Sequence, residues 1–193
     1  SSALAYDDVP GALPGDRHYS PYPEQDFPNR VFSGATHLHT SYSTDAGMIG
    51  NTLGPEEAYR FARGEAVTSS TGLPAKLGRP LDFLVVADHA EGLGAAPAIA
   101  NSDPIMMDTE LGRQLVELTK AGKPDQAFDV WSRAGQGGAN PLVTDERLIR
   151  PACTRMTEIA DQFNEPGRFT AFIGFEWTSL VKGNNLHRNV IFR

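Results

Sequence analysis

Apolar positions in this chain fall into two kinds of pattern. The run Leu81-Asp82-Phe83-Leu84-Val85-Val86-Ala87 is almost continuously apolar, as in a strand buried on both faces, and it predicts the central strand of a sheet. Leu148, Ala152, Met156, Ile159, Ala160 and Phe163 recur at helical spacing and predict an amphipathic helix over 144–164, with Pro151 kinking it or marking its true start. Further helices are predicted over 105–121 and 125–134, separated by Gly122-Lys123-Pro124. Pro55-Glu56-Glu57 opens another through about residue 64, with proline at the first position and acids in the first turn. Residues 31–37 read as a short strand running into a polar loop over 40–51, and 66–80 as a hairpin-like excursion. Strands over 169–178 and 186–192 flank a turn at 182–185. The alternation of strands and helices predicts an α/β domain with βα units.

Residues 1–30 break with this pattern. They hold five prolines, Pro10, Pro14, Pro21, Pro23 and Pro28, and predict an extended arm anchored by Tyr19, Tyr22 and Phe27. The remaining residues, 31–193, form the predicted domain, with a helical insertion at about 90–167.

Composition narrows the function classes. Hydrophobic residues make up 40% of 193, enough for one packed core. A closed α/β barrel typically needs about 250 residues. Without the arm and the insertion, roughly four or five barrel strands remain, too few to close. The strand at 186–193 is therefore expected to pair with a further C-terminal portion or with a second copy of the chain. The net charge of −7 is acidic and unclustered, which argues against a nucleic-acid partner. No apolar run approaches the roughly 18 residues of a membrane span. The single cysteine, Cys153, excludes an intrachain disulfide and reads as buried filler. The sequence opens at Ser1 rather than Met, which predicts processing, a tag or excision from a longer protein. No signal peptide is visible, and a periplasmic or secreted location would follow if one has been removed.

Four of the five histidines fall at strand ends: His37, His39, His89 and His187. In parallel α/β sheets the strand ends converge on one face, where catalytic loops gather. In an extended chain His37 and His39 point to the same side, so both imidazoles can face one ion. Asp45 is either a hard oxygen ligand for the same region or a loop-capping residue. Asp88-His89 follows the buried strand directly. It reads either as a solvated surface pair or as a metal ligand, His89, with Asp88 orienting a neighbouring group. Glu176 interrupts the apolar stretch from Phe172 to Trp177, where an ionised carboxylate needs an arginine or a metal ion. With two oxygens it can bridge two ions, and His187 can return to the same end across the turn.

Thr36-His37-Leu38-His39-Thr40, Ala87-Asp88-His89, Gly174-Phe175-Glu176 and Leu186-His187 resemble successive motifs of the polymerase and histidinol phosphatase (PHP) superfamily of metal-dependent phosphoesterases. More narrowly, residues 31–193 resemble the bacterial family called domain of unknown function 3604. The stretches running from Pro55 to Ala62, from Arg79 to Phe83 and from Phe172 to Ser179 carry that match. The resemblance implies the N-terminal portion of a distorted seven-stranded β/α barrel with two or three divalent ions, Zn, Mn or Fe. It implies that His37 and His39 hold one ion, that Glu176 bridges to a second completed by His187, and that Asp45 and His89 serve a third. Asp45 departs from the superfamily pattern, in which histidine is common at this place. The superfamily's final motif, an aspartate and a histidine on a late strand, has no counterpart before Arg193.

The expected chemistry is hydrolysis of a small-molecule phosphate ester, or a related oxyanion ester such as a sulfate, by a metal-bridging hydroxide. In that scheme Asp88 and Glu176 are catalytic, Asp88 orienting a ligand or relaying a proton, and Arg188 contacts the phosphate. Two other readings stand beside it. One is an amidohydrolase-type hydrolase, a class that usually adds a metal-bridging lysine. The other is a truncated or inactive fragment acting as a binding module.

Overall fold

The computed structural model describes residues 31–136, 138, 140–179 and 185–192. The proline-rich arm at 1–30 and most of the predicted turn at 182–185 lie outside them. Residues Ser33–Arg193 form one compact unit.

In chain order the elements are β1 (Gly34–Leu38), α1 (Thr44–Gly47), α2 (Pro55–Ala62), β2 (Val67–Thr68), β3 (Pro74–Ala75), β4 (Phe83–Val86), α3 (Ala95–Ala100), α4 (Glu110–Lys120), α5 (Pro124–Gln136), α6 (Glu146–Phe163), β5 (Thr170–Ser179) and β6 (Leu186–Ile191). The described strands make a mixed sheet in the order β1-β4-β5-β6 and a small antiparallel hairpin of β2 and β3. β1, β4 and β5 run parallel, and β6 returns antiparallel to β5. The apolar run of β4 is explained by its place between two parallel neighbours, with Leu84 and Val85 fully buried. Parallel neighbours require crossovers, and these carry the helices. The first crossover contains α2, whose Tyr59 and Ala62 pack against Leu84, Val86 and the α6 residues Met156 and Ile159.

The second crossover, α3 to α6, is large enough to hold a core of its own around Ile99, Met106, Leu115, Trp131 and Leu142. Gly92 turns the chain into this layer with φ of +72°, and a Cβ there would stand 2.5 Å from Trp131 Cζ2. Only glycine meets both demands. No helix among the described residues is long and apolar enough to cross a membrane.

The sheet is curled. β1 and β6 are separated by two strands, which in a flat sheet would put them about 14 Å apart at a strand spacing of about 4.8 Å. Yet Asn189 Nδ2 on β6 donates to the Thr36 carbonyl on β1 at 2.9 Å. A side chain of that length reaches only if the sheet bends toward one face. The four strands thus make a curled half-barrel, and the seven-stranded barrel expected from the sequence is present only in this coarser form.

Three local expectations change. The helix predicted over 105–121 is broken: Pro104–Asp108 is a 3-10 turn, and α4 starts anew after Thr109. Thr109 is extended, and its hydroxyl accepts from Gly112 N at 2.9 Å, the geometry of a helix N-cap. Pro151 neither starts nor ends α6, which begins after the Asp145 cap and runs through the proline. Cys153 is exposed rather than core filler, because Ala152, Met156 and Ile159 define the buried stripe and Cys153 lies one position off it.

Leu84→Ala should lower unfolding stability by about 2–5 kcal/mol, because the central strand cannot collapse onto the space left. Urea denaturation followed by circular dichroism measures it.

Candidate metal centre

The site is built at the end of the sheet where the three parallel strands finish. His37 is the penultimate residue of β1, and the chain just beyond the strand's end at Leu38 places His39 on the same side. The chain leaving β4 stays beside β5: Glu176 N donates to the Asp88 carbonyl at 3.0 Å, and Ala90 N to the Glu176 carbonyl at 2.9 Å. His89 is thereby held next to Glu176. In the β5–β6 ladder Thr178 faces His187 and Glu176 faces Asn189, so these four side chains project from the concave face.

Glu176 is the hub. It is 2% exposed, and its carboxylate receives four imidazoles. Oε2 lies 2.9 Å from His39 Nε2, 3.3 Å from His37 Nε2 and 3.4 Å from His89 Nδ1. Oε1 lies 2.9 Å from His187 Nδ1. No arginine or lysine is paired with Glu176 among the described residues, and Oε2 has no aligned hydrogen-bond donor. A buried carboxylate oxygen left in this way is costly unless a cation meets it.

The ligand atoms form three overlapping groups, His37–His39–Glu176, His39–Asp45–His89 and His89–Glu176–His187, each within 4.8 Å. Donors about 2.0–2.1 Å from one ion stand about 2.9–3.4 Å apart at octahedral to tetrahedral angles. His37 Nε2, His39 Nε2 and Glu176 Oε2 are separated by 2.9, 2.9 and 3.3 Å, which fits that spacing. Imidazole with carboxylate suits Zn, Mn and Fe. The residues present therefore fit a divalent metal centre.

The two aspartates behave differently. Asp45 Oδ2 lies 2.7 Å from His39 Nδ1 and 3.5 Å from His89 Nε2. Burial works to raise the Asp45 pKa, but hydrogen bonds from His39, His89 and Ser43 outweigh it and hold the carboxyl well below its ordinary range. For His39, burial favours the neutral ring, yet Asp45 together with Glu176 and Asp88 raises its pKa. Asp88 is fully buried and accepts from Thr40 N at 2.5 Å and Thr40 Oγ1 at 2.7 Å. Burial pushes its pKa up to about 6 against the lowering effect of those bonds.

The model of a family described as "Protein of unknown function (DUF3604)" matches residues 26–193. The chain belongs to the DUF3604 family. No curated protein and no solved structure matches it.

In this DUF3604 chain His37, His39, Asp45, His89, Glu176 and His187 come together as the sequence suggests. Asp88 stands apart from that cluster: it is fully buried and ties Thr40 down, so it supports the loop carrying His39. Arg188 also stands apart from the cluster. It pairs with Trp177, and strand alternation sends both to the face opposite Glu176 and His187. Its guanidinium donates to the His187 carbonyl at 2.9 Å.

Three participants escaped the sequence. Thr178 Oγ1 lies 2.9 Å from His89 Nδ1 and 3.4 Å from His187 Nδ1. Ser43 Oγ accepts from His89 N and contacts His39 Nδ1. Glu91 Oε1 accepts from Thr178 N at 3.1 Å, and its Oε2 is buried without a partner. Strand alternation could have found Thr178, two positions after Glu176. Glu91 had no signal beyond its closeness to His89.

Asp88→Ala should cost about 1–3 kcal/mol, because it leaves two buried Thr40 donors without an acceptor. It should also weaken metal binding by loosening the loop. Thermal unfolding with and without added Zn measures both effects.

Proposed function

We propose that this chain is the metal-binding part of a hydrolase acting on phosphate esters, related to the PHP superfamily, with the curled sheet as the N-terminal half of its barrel. The observation that carries this reading is the convergence of His37, His39, His89 and His187 on the buried Glu176 carboxylate. Divalent ions held there would supply a nucleophile at neutral pH and offset the charge on a phosphoryl group.

The chain's own residues have definite tasks in that scheme. Glu176 supplies one oxygen toward His37 and His39 and the other toward His187, so a single buried carboxylate can serve two ions. Asp45 steadies the His39 ring, and Asp88 anchors the backbone beside it through Thr40. The side chains of His37 and His187 are 51% and 37% exposed, against 16% for His39 and 15% for His89. An ester therefore approaches across His37 and His187, over a wall formed by His39 and His89. The bridging position is a carboxylate, and no lysine joins the cluster among the described residues, which favours the phosphoesterase reading over an amidohydrolase.

The protein loaded with Mn, Zn or Fe should release phosphate from a generic aryl monoester or diester, and chelation should stop it. Glu176→Gln should lower kcat/KM at least about 100-fold, equivalent to about 2.7 kcal/mol of transition-state stabilisation. Assays of an aryl sulfate, an amide and a lactone run alongside. Turnover that survives chelation, or preference for the amide or lactone, defeats the reading. Stoichiometric metal without any turnover points instead to a binding module.

A further inference from the structure

Among the described residues, the hairpin of β2 and β3 supplies nothing to the cluster around Glu176. It has another task. Val67 on β2 is buried and faces Ala75 on β3. Together with the flank of α2, the loop before it and the end of β1, the hairpin encloses a cavity of about 210 Å³. Leu38, Leu53, Ala58, Phe61, Val67 and Ala75 form its apolar wall. Leu38, Leu53 and Phe61 are only half-buried, so the cavity opens to solvent and is not a void sealed in the core.

The polar side chains in the same wall are engaged by the protein itself. Glu57 Oε2 accepts from Gly54 N at 3.0 Å at the start of α2. Asn51 Oδ1 accepts from Leu53 N at 3.0 Å and from Ser70 Oγ at 3.2 Å. Ser69 Oγ accepts from Leu73 N at 3.0 Å, and Thr40 Oγ1 donates to Asp88 Oδ2 at 2.7 Å. These bonds hold the loop, the hairpin and the strand end around the space, and they leave hydrocarbon as the main surface a ligand meets. An apolar cavity of about 150 Å³ takes up benzene. This one therefore has room for a ring, or for a chain of about four to seven carbons.

His39 joins the cavity to the metal centre. It lies in the cavity wall between Leu38 and Thr40, and its Nε2 stands 2.9 Å from Glu176 Oε2. A molecule whose charged end is held at Glu176 and its imidazoles thus meets an apolar space directly on the β1 side. We propose that this cavity receives the hydrocarbon part of the ester, an alkyl or aryl group of about four to seven carbons, while the oxyanion is held at the cluster around Glu176. The proposal rests on the phosphate-ester reading above and adds to it the class of alcohol. The hairpin is then the element that sets how large an alcohol fits.

The test separates head group from hydrocarbon. Methylphosphonate, butylphosphonate and phenylphosphonate share one head group and resist hydrolysis at the P–C bond. Each is titrated calorimetrically into the full chain loaded with Zn. A buried methylene is worth about fourfold in affinity, so butyl- and phenylphosphonate should bind about 10–60-fold more tightly than methylphosphonate. Ala58→Leu and Ala75→Leu each put a larger side chain into the cavity and should narrow that ratio to within about threefold. The ratio is the readout, because a general loss of metal or of folding lowers all three affinities together. Equal affinities for the wild type overturn the proposal and leave the phosphate-ester reading standing, as does a ratio that survives both substitutions. If none of the three binds, the phosphate-ester reading fails and the proposal falls with it. Should one variant fail to fold, the other and the wild-type ratio still decide.

Discussion

A carboxylate sealed inside a sheet is the constraint on which the rest of this protein depends. Taking an ionised Glu176 out of water carries a penalty of several kcal/mol, and neighbouring strands must return that energy through cationic or metal partners. Every strand of the half-barrel contributes to this. β1 and the residue beyond its end bring two imidazoles, the chain leaving β4 brings a third, and β6 folds back to bring a fourth. The parallel order of β1, β4 and β5 brings their ends to one place, and the curl of the sheet lets the outer strands face each other over Glu176.

A second buried carboxylate shows the contrasting solution. Asp88 lies one residue from a site imidazole, yet both its oxygens are taken by Thr40. It needs no ion because its donors come from the protein. The two carboxylates divide the work: one creates a site, and the other holds the loop that shapes it. The helical layer of α3 to α6 has a separate core and stabilises the crossover, and among the described residues it supplies no side chain to the cluster.

Much of this was legible in the amino-acid sequence, and the reasons are physical. β4 announced itself because burial on both faces removes polar residues, and α6 because one face repeats every three to four positions. The cluster was legible because imidazoles two apart in an extended chain share a side, and because a lone acid in an aromatic strand demands a partner. What stayed hidden depends on relations that no local pattern encodes. Arg188 was assigned by its closeness to His187, but only the ladder register with Trp177 shows which face it occupies. Asp88 and His89 are adjacent yet point to different surroundings. Cys153 sits among apolar residues, and the phase of the helix, not its composition, turns it outward. Glu91 acts through a backbone amide 87 residues away, a link that side-chain spacing cannot reveal.

The bond from Asn189 to the Thr36 carbonyl gives the curvature of the sheet a mechanical meaning. It joins the first and last strands of the described sheet across the concave face, next to the residues that bear His37 and His187. The gap between those two imidazoles is therefore set like the opening of a caliper, with β4 and β5 as the hinge and one amide side chain as the stop. Any change that flattens or tightens the sheet, however far from Glu176, is converted into a change in the spacing of the donors. A site of this kind reports on the shape of its whole scaffold.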